Sequence, residues 1–316
     1  MTNFYQITAE SARQRQTMAM LRDYAHRLPV LPGVATAILD FDRDDPGLPD
    51  LIEELALIDP ALTIRMLCLG SHLFTNNPGE HLTLPFILSK LGAVTVAGSL
   101  IQLATAPSFK PVSTVERELW LHSLQVALAA KYLAQRHPEC GLMGDEAYLM
   151  GLIHDVGRFI MLATSRDRFN ETGSAAWDRG EQLVRLEVEI CGFDHATLGA
   201  LASHEWQFPD IASQVIHYHH APRRLAKRSS AKRLIAAVEI VNAADTLSFL
   251  LLKHPEFSGA DTREQAVILR DFHLSPYGGV TQITEAEILR IVEPVVSKSH
   301  ALWERATGHR ALPAAS

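Results

Sequence analysis

Gly151-Leu152-Ile153-His154-Asp155-Val156-Gly157 sets an imidazole beside a carboxylate in an otherwise apolar stretch. The spacing around it predicts one helix over about residues 144–164, so the pair is expected inside the fold rather than on a loop. There the two polar groups must be satisfied by hydrogen-bonded neighbours or must together hold a cation, because an unpaired buried charge is costly. Which of these applies depends on what accompanies the pair.

Working outward, segments rich in Ala, Leu, Glu and Gln recur with helical spacing, and alternating Val/Ile/Thr runs bounded by hairpin turns are nearly absent. The expected fold is all-α. A lead helix over about 8–27 stops before Leu28-Pro-Val-Leu31-Pro32, whose prolines enforce an extended turn. Helices follow over about 33–42, 48–57, 60–70 and 83–105, with Asp59-Pro60 supplying a cap followed by proline at the first helical position. The loop 105–113, with two prolines, is the best boundary. Beyond it, helices are expected over about 114–136, 144–164, 178–190, 195–204, 209–219 and 231–252. Past Lys253 come the turn Ser275-Pro-Tyr-Gly-Gly279 and a helix near 284–307. This divides the chain into a lead helix (1–27), an amino-terminal helical subdomain (28–112), a second helical subdomain (113–252) and a carboxy-terminal extension (253–316).

A length of 316 residues, 47% hydrophobic and 21% charged, is that of a globular chain with a substantial core. A formal charge of -7 gives no global attraction to nucleic acid or anionic lipid. Cys68, Cys140 and Cys191 are far apart and form no CxxC pair, so neither a disulfide framework nor a thiolate zinc site is expected. No basic amino-terminal region leads into an apolar run, and no segment reaches the roughly 20 apolar residues of a membrane span. A cytoplasmic protein is expected.

Of 15 histidines, His122 shares a helix face with Val126, Ala129 and Leu133 and so points toward the core. Asp245 shares one with Val238, Val241 and Ser248. It is therefore paired, protonated or metal-bound, a hydrogen bond to Ser248 being the simplest alternative. His195 and the run His217-Tyr-His219-His220 are further candidates, since neutral imidazole is the commonest metal ligand. His204, beside Glu205, reads as surface or packing. His72, His81, His137, His254, His273, His300 and His309 lie in turns or polar stretches and carry no assigned role.

The ordered set His122, His154-Asp155, His195, His219-His220, Asp245 resembles the HD superfamily of metal-dependent phosphohydrolases, and within it the HD-GYP cyclic di-GMP phosphodiesterases. That resemblance implies that all seven residues are metal ligands, with Glu118 matching an extra carboxylate of members that hold a larger cluster. Arg158 stands where those enzymes carry a lysine, and Ala221-Pro-Arg-Arg224 follows the histidine pair in place of their acidic residue and Gly-Tyr-Pro motif.

Over about residues 25–250 the chain is more similar to the HDOD domain. The matching pieces are Leu28-Pro-Val-Leu31-Pro32, Leu57-Ile-Asp59-Pro60-Ala-Leu-Thr63, Trp120-Leu-His122-Ser123, the 151–157 stretch, Glu187 with Gly192 and His195, Gly199 to Pro209, and His219-His220-Ala-Pro222. Gly70-Ser71 replaces the usual Asn-Ser. The HDOD resemblance implies a multi-helix fold with an amino-terminal subdomain packed on an HD-like subdomain, and a bacterial signalling module acting through protein interaction. Its HD-like pocket would take one or two divalent ions, with iron, manganese and zinc all suited to imidazole and carboxylate. The alternative is a phosphohydrolase acting on a nucleotide or cyclic di-GMP, in which Asp155 is catalytic. Arg158, Arg223 and Arg224 are the candidate phosphate or ligand contacts, the last two opening a run of six cations from Pro222 to Arg233 that otherwise reads as a solvated loop and helix start. Signalling proteins or a nucleotide-type ligand are the expected partners. Neither a membrane nor nucleic acid is expected, the run lacking interleaved aromatics.

Overall fold

The computed structural model describes residues 21, 24, 25, 28–41, 47–76, 82–92, 109, 111–174, 180–271 and 280–307. Among these the regular structure is helical, without a β-strand. The helices are α1 (Pro32–Asp40), α2 (Leu48–Ala56), α3 (Pro60–Asn76), α4 (Thr114–Arg136), α5 (Gly144–Ile153), α6 (Val156–Thr164), α7 (Arg166–Ser174), α8 (Gly180–Cys191), α9 (His195–Glu205), α10 (Asp210–Tyr218), α11 (Pro222–Ala226), α12 (Lys232–Lys253), α13 (Thr262–Asp271) and α14 (Glu285–Thr307). Residues 84–92 are helical as well. The lead helix, the stretch 93–105, the turn 275–279 and the last residues fall wholly or largely outside the described set.

The capping signals act as their chemistry requires. Asp59 Oδ1 accepts from the N–H groups of Ala61 and Leu62 at 2.8 and 3.1 Å, closing the first turn of α3. Its Oδ2 accepts from Leu31 N–H at 2.6 Å, so the same carboxylate ties the proline-bounded 28–32 segment to α3. Burial pushes this carboxyl up to about 6, against the pull of the three N–H donors and of Arg65. Ser113 Oγ caps α4 by accepting from Glu116 N–H at 3.1 Å.

Helix α4 is the axis of the bundle, packed by α5, α12 and α14. Trp120 anchors it, stacking on Phe109 at 3.9 Å and meeting Phe159 edge-on at 4.6 Å. Phe109 N–H donates to Val30 O at 2.9 Å, which ties the proline-bounded segment in as well. One apolar cluster runs from Leu21 through α4, α5, α6 and α12 to Ala306, so α14 belongs to the same core. Against the expectation that no segment would reach the apolar length of a membrane span, α12 is the one described helix long and apolar enough to cross a membrane, and 89% of its apolar window is buried inside the fold. Packing among helices accounts for that composition.

The single helix expected over 144–164 is two. It ends at Ile153, turns at His154 and Asp155, where Asp155 adopts φ -94° and ψ 21°, and resumes at Val156. Every residue from Glu146 to Leu162 is buried, so no change of periodicity marks the break. Helices α11 and α13 are absent from the expected set, which placed one helix beyond Lys253, and so is α7, rich in polar residues. It forms because Phe169 is fully buried beneath the Arg158 guanidinium, whose centre lies 5.1 Å from the ring.

Candidate metal centre

The break in the helix places the His-Asp pair. His154 closes α5, Asp155 stands at the N-cap of α6, and neither continues a regular ladder, so both side chains turn to one point. His122 approaches from the middle of α4, His195 from the first position of α9, His219 and His220 from the turn ending α10, and Asp245 from the middle of α12. Glycines permit the close approach. A Cβ on Gly151 would lie 2.9 Å from Ala127 Cα of α4. One on Gly157 would lie 2.7 Å from the His195 carbonyl carbon and 2.9 Å from Gly199 N of α9.

All seven residues come together. His122 Nε2 lies 3.2 Å from His154 Nε2, 3.2 Å from Asp245 Oδ1 and 3.6 Å from Asp155 Oδ2. His195 Nε2 lies 3.0 Å from His220 Nε2, 3.3 Å from His219 Nε2 and 3.3 Å from Asp155 Oδ1. Asp155 Oδ1 is also 3.6 Å from the Nε2 atoms of His154 and His219, and Asp245 Oδ2 is 3.3 Å from His220 Nδ1. The atoms divide into two groups able to hold an ion, Asp155 with His195, His219 and His220, and His122 with His154 and Asp245.

The partners on the far side of each ring decide what these atoms are. His154 Nδ1 donates to Gly151 O at 2.7 Å and His219 Nδ1 to Ile216 O at 2.8 Å, and a carbonyl can only accept. Ser248 Oγ donates to Gln125 Oε1 at 2.8 Å, which leaves it to accept from His122 Nδ1 at 2.9 Å. His195 Nδ1 meets Glu187 Oε2 at 2.6 Å. In their neutral forms these four rings therefore carry hydrogen on Nδ1 and present a bare Nε2 lone pair to one another and to two carboxylates. Lone pairs at such separations repel one another and favour a proton or a cation among them.

The titration behaviour agrees with that preference. Burial alone would lower His195, but Glu187 and Asp155 overcome it and raise the ring to about 9. Burial and then the neighbouring rings depress His219 strongly, and burial lowers His220 to about 4. The carboxyls of Asp155 and Asp245 lie well below the ordinary range despite burial, because imidazoles surround them.

Glu118 lies outside both groups. It lines the mouth of the cavity above them, together with Arg158, Lys253 and the apolar Val115, Leu119, Leu183 and Phe249. The cavity measures about 40 Å³, room for about three waters. Burial raises the Glu118 carboxyl, against the opposing pull of Lys253 and Arg158. Arg223 and Arg224 are exposed on α11 and do not line this cavity. His204 is exposed. His137, which had no assigned role, is buried between Glu139 at 3.0 Å and Glu287 at 3.4 Å. Ser248 serves His122 and Gln125 rather than Asp245.

Four residues around the centre carried no sequence expectation of these contacts. Glu187 and Gln125 hold rings in place, Asn242 Nδ2 donates to His219 O at 2.5 Å, and Lys253 reaches the cavity mouth. Only Glu187 had a signal, its place in the pattern before Gly192 and His195.

Residues 28–222 match a family model described as the HDOD domain. An uncharacterized protein of Treponema pallidum (strain Nichols) is 22% identical over 245 residues, 75% of this chain and 46% of that protein, so the chain spans less than half of that relative's length. Among solved structures, the MmoQ response regulator of Methylococcus capsulatus str. Bath superposes with a TM-score of 0.58 at 19% identity, covering 84% of this chain and 97% of that one. A virulence factor of Campylobacter jejuni subsp. jejuni gives a TM-score of 0.52 at 16% identity, with 81% and 94% covered. At these identities the likeness is one of fold.

Proposed function

The chain belongs to the HDOD domain family, and on that premise we propose that it is a bacterial cytoplasmic regulatory module whose HD-like half carries a divalent-metal centre and which signals through protein contacts. The observation that supports this reading is the convergence of the Nε2 atoms of His122, His154, His195 and His219 on Asp155 and Asp245. His220 completes the set at 3.0 Å from His195. Asp155 would be shared by the two groups, since its carboxylate lies within 3.3 to 3.6 Å of His195 and His219 of one and of His122 and His154 of the other. Mixed imidazole and carboxylate donors suit iron, manganese and zinc.

A second reading, phosphohydrolysis of a nucleotide, draws support from Arg158 and Lys253 flanking the cavity mouth, where they would hold a phosphoryl group over the centre. Bound cations supply Lewis acidity and a water of lowered pKa. Asp155 would orient the centre, Arg158 and Lys253 would grip the anion, and the apolar wall would exclude bulk water.

Reconstitution of metal-free protein with iron(II), manganese(II) or zinc(II), followed by calorimetric titration, tests the metal reading. Saturable binding lost in Asp155→Ala supports it, and no binding of any of the three overturns it. Turnover of a generic phosphodiester by the loaded protein, lost in the same variant, would replace regulation by hydrolysis.

A further inference from the structure

We propose that Glu187 is the positioning residue of the metal centre and that helix α8 is fastened to the centre through it, an inference that rests on the metal reading above. Glu187 and Leu183 are the buried residues of α8, one turn apart on the same face. Leu183 contributes a separate small apolar cluster with Phe249, and Leu186 packs against it from partial burial. The main hydrophobic cluster has no fully buried member from α8. Beside the partial packing of Cys191 on the main cluster and the contacts of α8 with α7, its fully buried anchors are thus one leucine and one carboxylate.

That carboxylate is aimed at the centre. Glu187 Oε2 accepts from His195 Nδ1 at 2.6 Å and from the His195 backbone N–H at 2.9 Å. Two donors from one residue fix both the start of α9 and the rotation of its first ring, which leaves Nε2 aimed at Asp155. Oε1 has no hydrogen bond and lies 3.9 Å from Arg158 Nε, so the same side chain faces the cation at the cavity mouth. The turn between the helices makes this possible. Gly192 takes φ +84°, a left-handed conformation that favours glycine, and its N–H donates to Val188 O at 2.9 Å. Asp194 then caps α9 by accepting from Thr197 N–H at 2.8 Å. At its other end α8 closes on the centre again, because Gly180 packs directly against the His220 imidazole with no room for a Cβ.

The coupling has a direction. Relative to the neutral ring, a cation on His195 Nε2 would make its Nδ1–H a stronger donor, so the bond to Glu187, and with it the docking of α8, would tighten as the centre filled. By linkage, whatever displaces α8 weakens metal binding by the same factor.

The test uses the full chain, freed of metal and titrated with manganese(II), with metal affinity and hydrogen exchange of residues 180–191 measured on each sample. Slower exchange of that segment on manganese addition is expected for the wild type. Glu187→Gln, which keeps the volume and one acceptor but loses the charge, is expected to bind manganese 10- to 100-fold more weakly, while Glu187→Asp recovers part of the loss. Far-ultraviolet circular dichroism identifies any variant that has not folded, and the glutamine variant keeps the test open if Glu187→Ala fails. Manganese binding with unchanged exchange of 180–191 and an unchanged affinity in Glu187→Gln would overturn this proposal and leave the metal reading standing. No manganese binding at all would overturn both.

Discussion

Gly157→Ala adds one methyl group where α6 meets α9. The new Cβ would sit 2.7 Å from the His195 carbonyl carbon and 2.9 Å from Gly199 N, and closest of all to the His195 carbonyl oxygen. These are backbone atoms, which cannot rotate away, and ordinary carbon contacts begin near 3.5 Å, so the helices must separate by about 1 Å. Overpacking of this kind costs about 1–3 kcal/mol, and the better helix propensity of alanine returns up to about 1 kcal/mol. A net loss of about 1–2 kcal/mol is expected. The displaced backbone belongs to His195, whose Nε2 stands 3.3 Å from Asp155 Oδ1 at the other side of the same joint, so metal affinity should fall as well. Urea unfolding of the metal-free protein gives the first quantity, and competition for manganese(II) against a chelating dye gives the second. A variant with wild-type stability and wild-type affinity would refute the claim that Gly157 is needed to bring α6 against α9.

Saturating metal should raise stability, by about 2.7 kcal/mol at a free concentration one hundred times the dissociation constant, seen as a rise in Tm that a chelator reverses. Asp59 should make stability fall between about pH 4 and pH 6. Its folded pKa of about 6 exceeds the ordinary 3.8, so the fold holds the proton more tightly and the contribution present below pH 3.8 is lost as pH rises through 6. Urea midpoints across that range should show a shallower fall in Asp59→Asn than in the wild type. Trp303→Ala should cost about 3–5 kcal/mol in equilibrium unfolding, because this buried side chain of α14 belongs to the main core although it lies beyond the matched 28–222 region. Trp206→Phe should hasten proteolysis before residue 28, since the indole N–H holds Leu21 O at 2.7 Å.

Helix positions were legible where chemistry punctuates them. Asp59-Pro60 and Ser113 announce their caps, and α4 and α12 start and stop within a residue or so of the expected points. The helix break at His154 and Asp155 was not legible, because every residue from Glu146 to Leu162 is buried and the chain offers no proline or change of period there. Periodicity alone turned His122 and Asp245 inward, the apolar setting marked His154-Asp155, residue type made His195, His219 and His220 candidates, and the family resemblance joined the seven that the fold gathers into one set. The supporting contacts depend on helix packing. Glu187 reaches His195 only because Gly192 reverses the chain, and Ser248 reaches His122 across 126 residues. Lys253 ends α12 as lysines commonly do, and nothing in its neighbourhood signals a cavity.

The most direct test of the central claim is the metal content of the chain, purified without chelator or polyhistidine tag and measured by mass spectrometry of the ions. The account predicts one to two equivalents of iron, manganese or zinc per chain, retained through gel filtration and lost in both His154→Ala and His195→Ala. Less than a tenth of an equivalent, persisting after reconstitution with each metal in turn, would contradict it.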